Sequence, residues 1–142
     1  MMRAALFLLI TTMVFTYTVA QPSLKWAGAV LGGQPTPSFS LAVSDSGSLY
    51  TCGTFGFTVD FDPGAGIANL TGQGSSSDNM FVQKLDTSGN FVWVKQFKAT
   101  PYCIDVDGQG DIYITGKFSQ TQDFDPNAGT FNLTSNFGTT DM

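Results

Sequence analysis

The sequence contains no histidine and no glutamate, so all eleven of its acidic residues are aspartates. Without histidine, these 142 residues cannot form a Ser-His-Asp triad, a Cys-His pair or an imidazole metal site. Without glutamate, they lack a common carboxylic general acid and the residue that closes many calcium loops. Aspartates are therefore the only carboxylate side chains available for acid–base chemistry and for metal binding.

Basic residues are scarce as well, because six lysines and arginines stand against eleven aspartates and give a net charge of −5. The lysines are scattered along the chain, whereas binding to a phosphate backbone needs clustered basic side chains. We therefore expect no nucleic-acid partner. Helix-forming residues are few, while glycine, phenylalanine, serine and threonine are abundant, which predicts strands joined by tight turns.

The first twenty residues differ in kind from the rest of the chain. An uncharged apolar run follows Arg3 and extends to Val19, with small residues before Ala20, which is the pattern of a secretory signal. A membrane anchor is the alternative, but the strongly apolar part is shorter than the roughly 20 residues that a span needs. We predict a signal peptide over residues 1–20, a secreted or extracytoplasmic mature protein, and no membrane span after cleavage.

Two cysteines, Cys52 and Cys103, lie in the predicted mature chain. In an oxidising compartment an even number of cysteines allows one disulfide. The alternative is two thiols that act as small hydrophobic side chains, and the apolar surroundings of each cysteine favour it. Neither cysteine has an adjacent base in the sequence, so we expect no catalytic thiol.

An internal repeat dominates the mature sequence. Residues 41–78 overlay residues 104–141 without a gap, at a constant offset of 63. The longest identical block is Asp60-Phe61-Asp62-Pro63, which returns as Asp123-Phe124-Asp125-Pro126. Internal repeats are typical of proteins built from stacked supersecondary units.

Each unit carries signals for four short antiparallel strands, which is the composition of a propeller blade. In the first unit the predicted strands are residues 39–43, 49–55, 80–85 and 90–97. Turn residues separate them at 44–47 and 86–89, and Gly53 marks a place where another backbone comes close. The connection over 56–79 reads as a loop with room for a short hairpin.

The units resemble the secreted bacterial β-propeller repeat family, often called SBBP repeats. The matching elements here are Asp107-Gly108-Gln109-Gly110 with Tyr113, Gly116 and Phe118, then Asp60 to Gly64, then Met80 to Asp86. The chain departs from the pattern at Asn127, which stands where the first unit has Gly64, and at Asp45 and Ser48. The resemblance implies an all-β fold of antiparallel four-stranded blades and leaves the activity open, because propellers host unrelated functions.

Two units cannot close a ring, since propellers have roughly four to eight blades. We therefore expect a partial, non-closed propeller whose partners are further blades of the same kind. The expected parts are a lone outer strand and linker over 21–37, a first full blade over 38–97 and a truncated second blade over 98–142. The outer strand is placed at Ser23–Val30, because Leu24-Lys25-Trp26 lies over Phe91-Val92-Trp93. A complete two-unit protein that associates through its open edges is the alternative.

The repeated aspartates are the strongest candidates for a site, and Ca²⁺ is the one cofactor that they offer. The candidate ligands are Asp60, Asp62, Asp123, Asp125, Asp105, Asp107 and Asp111. Calcium takes six to eight oxygens, however, and each pair supplies only two carboxylates. We favour a structural role in which each aspartate caps a turn and in which Phe61 and Phe124 pack inward.

We expect a non-enzymatic scaffold that binds a protein or a glycan at the cell surface or outside the cell. Paired carboxylates can also hydrolyse glycosides, but here each pair occurs in both units, as scaffold residues do. Trp26 and Trp93 can stack on sugars, or can be core residues between blades. The alternatives are a propeller-borne hydrolase or lyase with its catalytic residues in other blades, and a calcium-stabilised adhesion module.

Overall fold

The computed structural model describes residues 23–32, 36–72, 78–136 and 140–141. The predicted signal peptide over 1–20 lies outside these ranges. Within them the chain forms twelve strands and no α-helix, and it contains no helix long and apolar enough to cross a membrane. The strands are β1 (Leu31–Gly32), β2 (Ser38–Val43), β3 (Leu49–Thr54), β4 (Thr58–Asp60), β5 (Asn69–Thr71), β6 (Met80–Leu85), β7 (Phe91–Phe97), β8 (Thr100–Val106), β9 (Ile112–Ser119), β10 (Thr121–Asp123), β11 (Asn132–Thr134) and β12 (Thr140–Asp141).

The first unit contains the predicted four-stranded antiparallel sheet, in the order β2-β3-β6-β7. Its strands begin and end within one residue of the positions predicted from the sequence. Side chains alternate between the two faces of a strand. One face, which we call the docking face, carries the buried side chains Ala42, Tyr50, Cys52, Met80 and Val82.

The second unit repeats the first with the same offset of 63 residues. Strands β8 and β9 pair as β2 and β3 do, and β12 adds to β9 on its other edge. The close backbone approach predicted at Gly53 is confirmed, because a Cβ there would overlap the Pro37 carbonyl oxygen. Gly116, one repeat later, meets the Thr100 carbonyl oxygen in the same way.

The connection between the second and third strands forms a short antiparallel hairpin in both units. In the first unit β4 pairs with β5, and Thr58 lies opposite Thr71. In the second unit β10 pairs with β11 in the identical register, 63 residues later. Phe57 and Gln120 precede the two hairpins with φ angles of 58° and 61°, which are uncommon for residues other than glycine. The repeat therefore extends to backbone conformation.

The two units pack against each other through the docking face. Ser40 and Cys103, which are one repeat apart, are in contact, with 3.7 Å between Ser40 Oγ and Cys103 Sγ. The Ile104 N–H donates to Ser40 Oγ at 3.2 Å, and the Ile104 side chain is 3% exposed within the docking-face cluster. The other side chains of the second unit on this cluster are Ala99, Val106, Ile112, Ile114, Phe118 and Phe124. Because equivalent positions touch, the units are stacked as consecutive repeats.

The structure differs from the expected outer strand at Ser23–Val30. Residues 23–30 have no strand pairing, and the ladder begins only at β1, which pairs with β4. The segment is held against the first unit by contacts of Trp26 with Gly89 and of Gly28 with Pro63. The Trp26 ring lies so close to Gly89 that a Cβ there would be 2.5 Å from Trp26 Cδ2. A Cβ on Gly28 would lie 3.0 Å from Pro63 Cβ.

The contacts of this segment with the first unit nevertheless parallel those of β7 with the second unit. Residues 24–30 overlay part of β7, and the aligned pairs are Trp26 with Trp93, Gly28 with Lys95 and Val30 with Phe97. Val30 packs on the cluster that contains Phe61, and Phe97 stacks on Phe124 with 6.3 Å between ring centroids. Because Phe61 and Phe124 are themselves one repeat apart, the segment contacts the first unit as β7 contacts the second.

The unit interface predicts unequal effects for two equivalent apolar residues. Replacing buried Ile104 by alanine should lower the free energy of unfolding by about 2–5 kcal/mol, because it leaves a cavity in the interface. Replacing Leu41, its counterpart in the first unit, should cost less than about 1 kcal/mol, because Leu41 is 64% exposed. Urea unfolding followed by tryptophan fluorescence measures both changes. Equal losses would contradict the packing described.

Candidate functional site

The first acidic pair holds the tip of the β4–β5 hairpin. Asp60 Oδ1 accepts hydrogen bonds from the backbone N–H groups of Asp62, at 3.0 Å, and Ala68, at 2.8 Å. Asp62 Oδ1 accepts the Gly64 N–H at 2.7 Å. A Cβ on Gly66 would overlap the other carboxylate oxygen of Asp62, so a larger residue there would displace this carboxylate. Backbone groups thus occupy one oxygen of each carboxylate.

The second acidic pair makes the same bonds in the β10–β11 hairpin. Asp123 Oδ1 accepts the N–H groups of Asp125, at 3.0 Å, and Phe131, at 2.8 Å. Asp125 Oδ1 accepts the Asn127 N–H at 2.7 Å, so asparagine replaces Gly64 without loss of this bond. Backbone donors lower the pKa of Asp123, chiefly the Asp125 N–H and then that of Phe131.

The third acidic group forms the turn between β8 and β9. Asp107 Oδ1 accepts the N–H groups of Gln109, at 3.0 Å, and Asp111, at 2.9 Å, and the Tyr113 hydroxyl donates to Asp107 Oδ2 at 3.1 Å. Asp105 lies on β8 and accepts the Val106 N–H at 2.9 Å. The two backbone bonds to Asp107 Oδ1 hold the turn in its conformation.

The same turn closes two other hairpins of the chain. Asp86 Oδ1 accepts the N–H groups of Ser88, at 2.8 Å, and Asn90, at 2.9 Å. In the β2–β3 turn a hydroxyl replaces the carboxylate, and Ser44 Oγ accepts the Ser48 N–H at 3.2 Å. Each turn has a glycine with positive φ, namely Gly47, Gly89 and Gly110. The serine thus makes one of the two backbone bonds that Asp107 makes in the equivalent turn.

The structure does not gather the seven candidate calcium ligands into one place. It keeps Asp60 beside Asp62 in one hairpin and Asp123 beside Asp125 in the other. Across the described ranges, no three or more ligating side chains form a group that could hold a metal ion. Calcium binding stays a prediction, and backbone carbonyls and water would have to supply most of the ligands.

A pocket of about 410 Å³ lies where the first acidic hairpin meets the N-terminal segment. Its walls are the stretches 26–28, 62–65 and 88–91. We call it the Trp26 pocket. Two walls, the β4–β5 hairpin and the β6–β7 turn, belong to the first unit, and the third is the unpaired segment before β1.

The Trp26 pocket combines an aromatic side chain with polar groups. Trp26 is half-buried, and its indole ring lies against the backbone at Gly89. Asp62 brings a carboxylate, Ser88 a hydroxyl and Asn90 an amide. The Asn90 side chain is oriented by its own bond, in which Nδ2 donates to Asp86 Oδ2 at 2.9 Å. An aromatic wall with a few fixed polar groups is the usual composition of a small-molecule site.

Two residues of this pocket were candidates from the sequence alone. Trp26 was a candidate for stacking on a sugar and Asp62 a candidate ligand, but Ser88 and Asn90 entered only as turn and strand residues. Gly89 was the available signal, because a glycine with positive φ leaves room for an aromatic ring beside the turn. Which ring lies there depends on a contact between positions far apart in the sequence.

Comparison of the chain with protein-family models, with curated proteins and with solved structures finds no match in any of the three. The likeness to secreted propeller repeats therefore depends on the sequence motifs alone. The geometry of the described residues is the remaining guide to function.

The hydrogen bonds from backbone N–H groups to the hairpin aspartates predict a loss of stability in acid. The backbone N–H groups of Ala68 and Asp62 hold the pKa of Asp60 below its ordinary value of 3.8. The charged carboxylate therefore stabilises the fold above the unfolded-state pKa, and this contribution is lost as the pH falls through the lower, folded-state pKa. Asp60→Asn keeps an acceptor but does not titrate. Its melting temperature should fall less than that of the unmodified chain from about pH 5 to about pH 2.

Asp45→Asn is the matched control, because it removes one charge from an exposed turn residue. Its pH profile should follow that of the unmodified chain. If Asp60→Asn and Asp45→Asn gave the same profile, the backbone bonds of Asp60 would not be the source of the acid sensitivity.

Proposed function

We propose that this chain forms consecutive blades of a β-propeller that acts outside the cell as a non-enzymatic binding scaffold. Its ligand is a neutral saccharide, held in the Trp26 pocket. The observation that carries the proposal is the convergence of an aromatic ring and three kinds of polar group in one pocket between repeat elements. The signal-like residues 1–20 support the location outside the cell.

The stacking of the units supports the propeller arrangement. The docking face of the first unit meets the second unit's β8, and the two sides of this contact are different surfaces. Such a head-to-tail contact can be repeated by further units, and it closes into a ring when the rotation per unit is suitable. Residues 24–30 support the same arrangement, because they lie beside the first unit where the outer strand of a preceding blade would lie.

The use of the carboxylates supports a binding role over catalysis. Hydrolysis of a glycoside needs two carboxyl groups on either side of the scissile bond, one of which donates a proton. Here the oxygens of Asp60 and Asp123 accept backbone N–H bonds at matching positions in both units. Those bonds stabilise the charged form and lower the pKa of both residues, which opposes a role as general acid.

The chemistry of the Trp26 pocket supports a saccharide. A sugar ring offers an apolar face of C–H groups to an aromatic ring, and its hydroxyl groups match carboxylate, hydroxyl and amide partners. The net charge of −5 favours a neutral sugar, because the field of the protein repels polyanions such as sulfated or uronic glycans. The pocket volume of about 410 Å³ is within the usual range of ligand sites.

The test is binding to a panel of neutral oligosaccharides built from glucose, galactose, xylose or N-acetylglucosamine. At least one should bind the unmodified chain, and Trp26→Ala should weaken that binding about tenfold, or about 1.4 kcal/mol. Trp26→Phe should retain most of it. Isothermal titration calorimetry with the soluble oligosaccharides measures each affinity.

Leu24→Ala is the matched control, because Leu24 belongs to the same segment, is 85% exposed and is not among the pocket residues. It should bind as the unmodified chain does. Absence of binding to the whole panel, or equal loss in Trp26→Ala and Leu24→Ala, would contradict a saccharide role for this pocket.

A further inference from the structure

Two thiols meet at the interface between the units, and the proposed function uses neither. Cys52 lies on β3 in the docking-face cluster and is fully buried, whereas Cys103 lies on β8 and is exposed. Both are free thiols in this structure. They are therefore a buried and an accessible group on neighbouring strands of different units.

Ser40 is a neighbour of both cysteines. It lies opposite Cys52 in the β2–β3 ladder, where paired Cα atoms are about 4.5–5.5 Å apart. Its hydroxyl lies 3.7 Å from Cys103 Sγ and accepts the N–H of the next residue, Ile104. A small side chain at position 40 thus brings β3 and β8 together at this point.

We propose that Cys52 and Cys103 form a disulfide bond between the first unit and the second. The bond forms when the two thiols exchange with an external disulfide. The bond joins β3 to β8 across the docking face. It requires only the contacts between the units and does not depend on the Trp26 pocket or its ligand.

The exchange has two steps, with oxidised glutathione as the external disulfide. Exposed Cys103 reacts first, because its thiolate attacks one glutathione sulfur and displaces the other as a thiolate, leaving a mixed disulfide. The Cys52 thiolate then attacks the Cys103 sulfur and releases the second glutathione. Two protein thiols are oxidised, one glutathione disulfide is reduced to two thiols, and the two thiol protons pass to the solvent and the departing glutathione.

The second step is the slower one. Burial, together with the nearby Cys103 thiol, raises the pKa of the Cys52 thiol to about 11, and thiol exchange needs the thiolate. Glutathionylated Cys103 should therefore accumulate first and then decay as the protein disulfide forms. This order distinguishes the linked pair from two independent thiols.

The experiment treats the folded chain with a mixture of oxidised and reduced glutathione, blocks the remaining thiols with N-ethylmaleimide and maps the peptides by mass spectrometry. We expect a peptide with Cys52 linked to Cys103, and a melting temperature several degrees higher, because the bond closes a long loop of the unfolded chain. Cys52→Ser should stop at glutathionylated Cys103, and Cys103→Ser should leave Cys52 unmodified while folded.

Two results would overturn the proposal. In the first, the final product of the unmodified chain carries glutathione on Cys103, as in Cys52→Ser, and its Cys52 thiol reacts with N-ethylmaleimide after unfolding. In the second, the linked peptides come from disulfide-bonded dimers, which gel filtration without reductant would detect. Either result would show that Cys52 and Cys103 do not reach each other in the folded chain.

Discussion

Packing of the second unit on the docking face of the first is the contact on which the rest of the structure depends. A small sheet with apolar side chains on both faces cannot exclude water alone, so each unit needs a neighbour. Ile104 lies almost wholly within this contact, while its counterpart Leu41 lies outside it and is exposed. On part of the first unit's other face, the residues around Val30 lie over the Phe61 cluster. The same physical requirement thus explains both the stacking and the position of residues 24–30.

The aspartates serve this arrangement by fixing the connections. Short strands give little stability by themselves, so the turns must be held in one conformation for the faces to match. Asp60 and Asp123 fix the two outer hairpins through equivalent backbone bonds, and Asp86 and Asp107 fix two of the strand-to-strand turns. With the framework rigid, the connections can carry function, and two walls of the Trp26 pocket are such connections.

Much of this fold could be predicted from the sequence, because local signals determine it. Alternating apolar residues and turn glycines predicted the strands of the first unit to within one residue, whereas the connection over 56–79 was predicted as a loop with room for a short hairpin, and both units form that hairpin. The sequence did not predict that residues 23–30 remain unpaired, because strand propensity does not reveal whether a partner edge is available. The contact of Trp26 with Gly89 and the meeting of Cys103 with Ser40 were missed for a related reason, since both join distant parts of the chain.

The most direct test of the account is the distance between Phe97 and Phe124 in solution. These rings belong to different units, and they stack with 6.3 Å between centroids only if the second unit lies on the docking face of the first. Nuclear Overhauser spectroscopy of the folded chain, with specifically labelled phenylalanines, measures this proximity. If the units are stacked, the two rings give clear cross-peaks. Their absence from a chain whose β2-β3-β6-β7 sheet shows its own cross-strand peaks would contradict the stacking of the units.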